Sequence, residues 1–244
     1  MSAQMMTDGW GEAQPAYNVR TLLWLLLAIL AGVFAAVFVL PAWLPDLSAS
    51  LLGPEPKAYW HLSRASALVA FALLWLALAI GLSITSRLAR LWPGGPAAFD
   101  MHQHASLLGL AFALFHALIL TGDRFVNIGL AQVVVPFSTT DYRPVWVGLG
   151  QVALYLLIIV GLSFYVRRWL GRRAWRAIHF LSFLLYVLVL AHAVASGTDS
   201  EAPVVVALYW GSGVSLLLLT VWRVVATVRE RLARRARRTV AAAG

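Results

Sequence analysis

Six apolar stretches dominate the chain, at roughly residues 19–41, 58–84, 100–121, 145–166, 174–196 and 203–226. Each is about 20 residues or longer, enough to cross a hydrocarbon core about 30 Å thick as a helix. With 61% hydrophobic and 12% charged residues among 244, the apolar excess is more than one core can bury, so it must face lipid. The expectation is an all-α, polytopic membrane protein. It would be a six-helix transmembrane bundle over 19–228, with an N-terminal segment 1–18 and a basic tail 229–244. The first stretch is too long for a signal-peptide core and follows Asp8 and Glu12 with only Arg20 as a cation, so it reads as a retained span.

The net charge of +9 is unevenly placed. Arg87 and Arg90 lie between the second and third stretches. Arg167, Arg168, Arg172, Arg173 and Arg176 lie between the fourth and fifth, and "RVVATVRERLARRARR" follows the sixth. The other connections hold Lys57, Arg124 and Arg143 beside Asp46, Glu55, Asp123, Asp141, Asp199 and Glu201. The positive-inside rule then puts both termini in the cytoplasm, with the tail against anionic lipid and no nucleic-acid partner. The expected location is a cell membrane crossed several times, of the bacterial inner or plasma type. Cysteine is absent, which excludes thiolate-held iron–sulfur clusters and covalent haem attachment; a redox metal would have to be held by histidine.

Helix breakers fall between the stretches, in "PAWLPDLSASLLGPEPK" and "WPGGPAAFD". The longest connection, "TGDRFVNIGLAQVVVPFSTTDYRP", has an apolar centre too short to cross, suited to lying at the interface as a cap. "GLGQVA", residues 148–153, satisfies a dinucleotide-binding pattern. With no strand before it, it reads instead as small residues that allow close helix approach.

Five of the six histidines, His102, His104, His116, His179 and His192, lie on the third and fifth stretches; His61 opens the second. Ionisable residues in a span are expensive and call for a function. His102 and His116 are separated by 14 residues, about 21 Å of rise and only about 40° of rotation. His179 and His192 are 13 apart, about 140° on an ideal helix, which implies either a local bulge or ligands leaving on different flanks. Both stretches start on the cytoplasmic side, so histidines occur at two matched depths. This separation is too large for one metal ion and suits two stacked haems, each held by two imidazoles. His104, about 120° from His116, is the weaker ligand candidate, and His61 reads as a helix–helix contact or a residue at a haem edge. Gly109, midway between His102 and His116, is expected to leave room between the macrocycles. Propionates prefer arginine, and the candidates are Arg90, Arg176 and Arg87 inside, with Arg64, Arg143 and Arg124 outside.

His102 and His116, together with "WRAIHFLSFLLYVLVLAH" from Trp175 to His192, resemble the ferric reductase-like transmembrane domain. This is the six-helix haem b module of ferric reductases, NADPH oxidases and MsrQ-type haem subunits. The resemblance covers about residues 58–226. It implies two haem b groups, the inner on His102 and His179 and the outer on His116 and His192. It also implies electron flow from a cytoplasmic donor to an outer acceptor. The full inner pair is nearer the oxidase and ferric reductase arrangement. The chain shows no flavin or NADPH domain, so the donor would be a separate flavoprotein reductase or a quinol. The acceptor would be an outer-side protein, a metal ion or oxygen. Two rival expectations are a quinone-linked cytochrome b subunit of a dehydrogenase and a haem-free transporter or proton channel using histidine relays.

Overall fold

The computed structural model describes residues 15, 17–44, 49, 51–52, 55–91 and 93–243. Most of segment 1–18 lies outside the described residues. The fold is all-helical, with no strand among the described residues. Its helices are α1 (Val19–Trp43), α2 (Ala58–Thr85), α3 (Gly95–Ile119), the short α4 (Leu130–Val134), α5 (Pro144–Ser196) and α6 (Pro203–Ala243). Five of them, all but α4, are long and apolar enough to cross a membrane.

The distribution of side chains is that of a protein solvated by lipid. Trp24, Val187, Leu217 and Trp222 are exposed, whereas Ser63, Ser66, Gln103, Gln151, Ser163 and Ser212 are buried. Inside a bilayer the apolar exterior costs nothing, and interior polar groups join helices by hydrogen bonds. The Trp75 indole donates to Ser215 Oγ (2.9 Å), and the Tyr186 hydroxyl lies 2.8 Å from Ser212 Oγ, fastening α6 to α2 and α5.

Three of the helix starts have a clear local cause. The Asn18 side chain caps α1 by accepting from the Thr21 amide at 2.8 Å. Proline occupies the first turn of α3 and α5, where its missing N–H costs no helical bond. Within α1, Pro41 removes a donor, and residues Ala35–Val39 widen into a π-turn. The freed Ala36 carbonyl accepts from the Tyr59 hydroxyl of α2.

α5 is 53 residues long, about 80 Å if straight and more than twice a hydrocarbon core. It is not straight. Gly171 has φ 74° and ψ 160°, a conformation that is essentially glycine's alone. The arms 144–170 and 172–196 fold back on each other there. The first turn of one meets the last turn of the other: the Tyr142 hydroxyl donates to the Ser196 carbonyl (2.7 Å), and Arg143 donates to the Ala195 carbonyl. The second arm is α-helical throughout, so the thirteen-residue histidine step is met without a bulge and the two imidazoles leave on different flanks.

The hairpin depends on Gly171. Gly171→Ala should lower stability by about 1–3 kcal/mol, whereas Gly161→Ala, with open space around its Cβ position, should change little. Thermal unfolding of the two variants in detergent checks this.

Candidate functional site

Each chamber is built around one histidine pair. His102 of α3 faces His179 of the second α5 arm, with ring centroids 6.0 Å apart and planes at 66°. His116 of α3 faces His192 of the same arm at 6.2 Å and 67°. Two nearly identical pairs therefore sit about 21 Å apart along α3.

Three of the four imidazoles are oriented by main chain of another helix or of the other α5 arm. His102 Nδ1–H donates to the Ala77 carbonyl of α2 at 2.8 Å. His192 Nδ1–H donates to the Trp146 carbonyl of the first α5 arm at 2.8 Å. His116 Nδ1–H is shared between the Ser63 carbonyl (2.9 Å) and the Ser63 hydroxyl oxygen (2.8 Å), while that hydroxyl donates back to the His116 carbonyl at 3.1 Å. A helical carbonyl has a second lone pair, so each bond is made without breaking the ladder. A carbonyl cannot donate, so Nδ1 carries the proton and Nε2 keeps its lone pair. This is the tautomer that a metal-binding imidazole needs, with its second nitrogen fixed by a hydrogen bond.

Glycines give the rings their room. A Cβ on Gly81 would lie 3.2 Å from the His102 ring, and one on Gly150 only 2.5 Å from His192 Nδ1. The "GLGQVA" segment is thus a packing device. Gly148 receives the Phe137 ring and Gly150 receives His192. Gln151 clasps the long connection, accepting from the Phe137 amide (3.0 Å) and donating to the Gln132 carbonyl.

The His102–His179 chamber encloses about 400 Å³ and is lined by Arg172, Arg176 and Arg223. The His116–His192 chamber encloses about 190 Å³. The long connection covers it through Val126, Ile128, Gln132 and Val133, as its apolar centre suggests. Phe71, Leu74, Leu157 and Val189 line both chambers and form the partition between them. Gly109 does not leave a gap there. A Cβ on it would lie 3.1 Å from Leu74, so the glycine brings α2 against α3 and pushes Leu74 into the partition.

Arg176 lines the first chamber and Arg64 the second, where Arg64 Nε donates to Asp199 Oδ2 at 2.7 Å. Arg90 and Arg143 line neither, and Arg143 is turned to the Ala195 carbonyl. Arg87 pairs with Glu230 at 2.9 Å. Arg172 and Arg223 are chamber residues that sequence reasoning missed; their place within the basic clusters gave no sign of which way they point. His104 is exposed, bonded through Nδ1 to the Asp100 carbonyl and set against Tyr17, and His61 is exposed outside both chambers. Among the described residues no group of three or more His, Asp or Glu side chains could chelate a metal ion. The histidines come in twos.

A family model described as a domain of unknown function (DUF8596) matches residues 58–199. The chain belongs to this family. The matched region starts on the first residue of α2 and ends on Asp199, so the family unit encloses α2 to α5, both histidine pairs and the Arg64–Asp199 ion pair. Helices α1 and α6 lie outside it. No curated protein and no solved structure matches the chain.

Gly150 is the most sensitive of these glycines. Gly150→Ala should displace His192 from the Trp146 carbonyl and destabilise the protein by about 1–3 kcal/mol, against no change for Gly211→Ala, whose Cβ position is open. Denaturation midpoints of the two variants make the comparison.

Proposed function

We propose that this protein is a transmembrane electron-transfer cytochrome b, ferric reductase-like, with one haem b between His102 and His179 and another between His116 and His192. The observation that carries the reading is the repeated pair. Two metal–imidazole bonds of roughly 2 Å, with the two ring radii, put the centroids of opposed rings at roughly 6 Å, and both pairs have that separation. A haem iron takes two ligands from protein and the rest from the porphyrin, so pairs rather than triads of histidine are the fitting donor set. Bound haem would supply reversible one-electron transfer, with two imidazoles leaving no open position for substrate.

The chain's own residues serve that role in separate ways. The Ala77, Ser63 and Trp146 carbonyls hold the imidazole tautomers. Gly81 and Gly150 admit the rings. Arg172, Arg176 and Arg223 offer charge to propionates in one chamber, and Arg64 offers it in the other. The connection over the second chamber keeps out water. With each α5 arm longer than the roughly 20 residues a crossing needs, the chain makes six crossings. The arginine distribution then puts both termini and the His102–His179 chamber on the cytoplasmic side. Electrons enter there from a flavoprotein or quinol and leave on the other face to an acceptor protein, metal ion or oxygen.

Reduced-minus-oxidised spectra with pyridine haemochrome quantification test this. Protein purified from haem-replete cells should show low-spin haem b at about two per chain. His102→Ala and His192→Ala should each remove one. A colourless wild-type protein would sink the proposal and point to a histidine relay instead.

A further inference from the structure

Three of the four paired imidazoles are pinned by a carbonyl from another helix or from the other α5 arm; His179 is not. Among the described residues its ring accepts and donates no hydrogen bond. It lies instead against Trp175, one turn earlier on the same arm, with centroids 5.2 Å apart and planes within 22°. Residues four apart on a helix share a face, so this stack forms wherever the arm is helical and needs no partner helix. Trp175 also lines the chamber beside His179.

We propose that Trp175 is the positioning residue for His179, replacing by ring stacking the carbonyl that fixes the other three imidazoles, and that His179 is consequently the one exchangeable ligand of the four. The inference rests on the haem reading above. Its physical basis is the difference between the two restraints. A directed N–H···O=C bond fixes rotation about Cβ–Cγ and the tautomer together. A stack fixes only the ring plane, through contact over the aromatic face. With Trp175 removed, nothing in the described structure holds the His179 ring across from His102. The His116–His192 pair, with both members bonded to carbonyls, is an internal control in the same molecule.

The experiment is absorption and EPR spectroscopy of full-length protein in detergent. Wild type, Trp175→Leu and Trp175→Phe are compared, each oxidised, then reduced, then reduced under carbon monoxide. Wild type should hold two low-spin haems that ignore carbon monoxide. Trp175→Leu should convert one of its two haems to a high-spin, carbon monoxide-binding form. Trp175→Phe, which keeps a stacking face, should restore the wild-type spectrum. A Trp175→Leu protein with two low-spin, carbon monoxide-inert haems would overturn the assignment, as would disturbance of both haems alike. A wild-type protein without haem would overturn the functional proposal itself, a distinguishable result.

Discussion

The bond from an imidazole N–H to the spare lone pair of a carbonyl on a neighbouring helix organises the interior. A histidine in hydrocarbon cannot rely on water, and an unsatisfied N–H there costs several kcal/mol. His102 and His116 both resolve this on α2, at the Ala77 and Ser63 carbonyls, so α2 and α3 are locked at two levels. His192 does the same at Trp146 and thereby locks the two arms of α5. The bonds that satisfy the rings thus also fix the helices that carry them, and the second nitrogen of each ring remains available inside a chamber.

Close approach is the condition for those bonds, and small residues supply it. Gly81 lets α2 pass beside the His102 ring, and Gly150 lets the first arm of α5 pass beside His192. Gly109 serves the opposite purpose: it draws α2 in so that Leu74, with Phe71, Leu157 and Val189, closes the middle of the bundle. The result is two separate compartments rather than one continuous channel-like void.

Much of this was legible in the sequence, and the reasons differ by element. The apolar stretches are long and their ends marked by Pro, Gly and Arg, so most helix ends could be read within a few residues; α6 instead runs on through the basic tail to Ala243, because arginine is a good helix former and no Pro or Gly interrupts it. Matched depth followed from spacing, because rise per residue is constant along a helix. The hydrogen-bond acceptors were not legible, because they are main-chain atoms and every residue has them. Nor were the jobs of Gly148 and Gly150, which depend on Phe137 and His192 arriving from distant segments. The fold-back at Gly171 could be expected from the arginine-rich break, but its positive φ could not. Among the arginines, sequence gave depth without direction: Arg172 and Arg223 turn into a chamber, while Arg90 lines neither and Arg143 caps a helix end.

The two chambers differ most in charge. Among the described residues Arg172, Arg176 and Arg223 line the first with no acidic residue beside them, whereas Arg64 in the second is matched by Asp199. Like charges repel at about 4 kcal/mol per pair at 4 Å in a medium of intermediate dielectric. Three guanidinium groups without a carboxylate among the described residues are therefore tolerable at one mouth only where water reaches them, and Arg172 and Arg176 are exposed. The same arrangement gives that mouth a strong preference for an anionic group, because its binding relieves repulsion as well as adding attraction. The capped chamber has no such reserve: an anion there must compete with Asp199 for Arg64. Its form rests on the Ser63 and Trp146 carbonyls that fix its two rings and on the long connection clasped by Gln151.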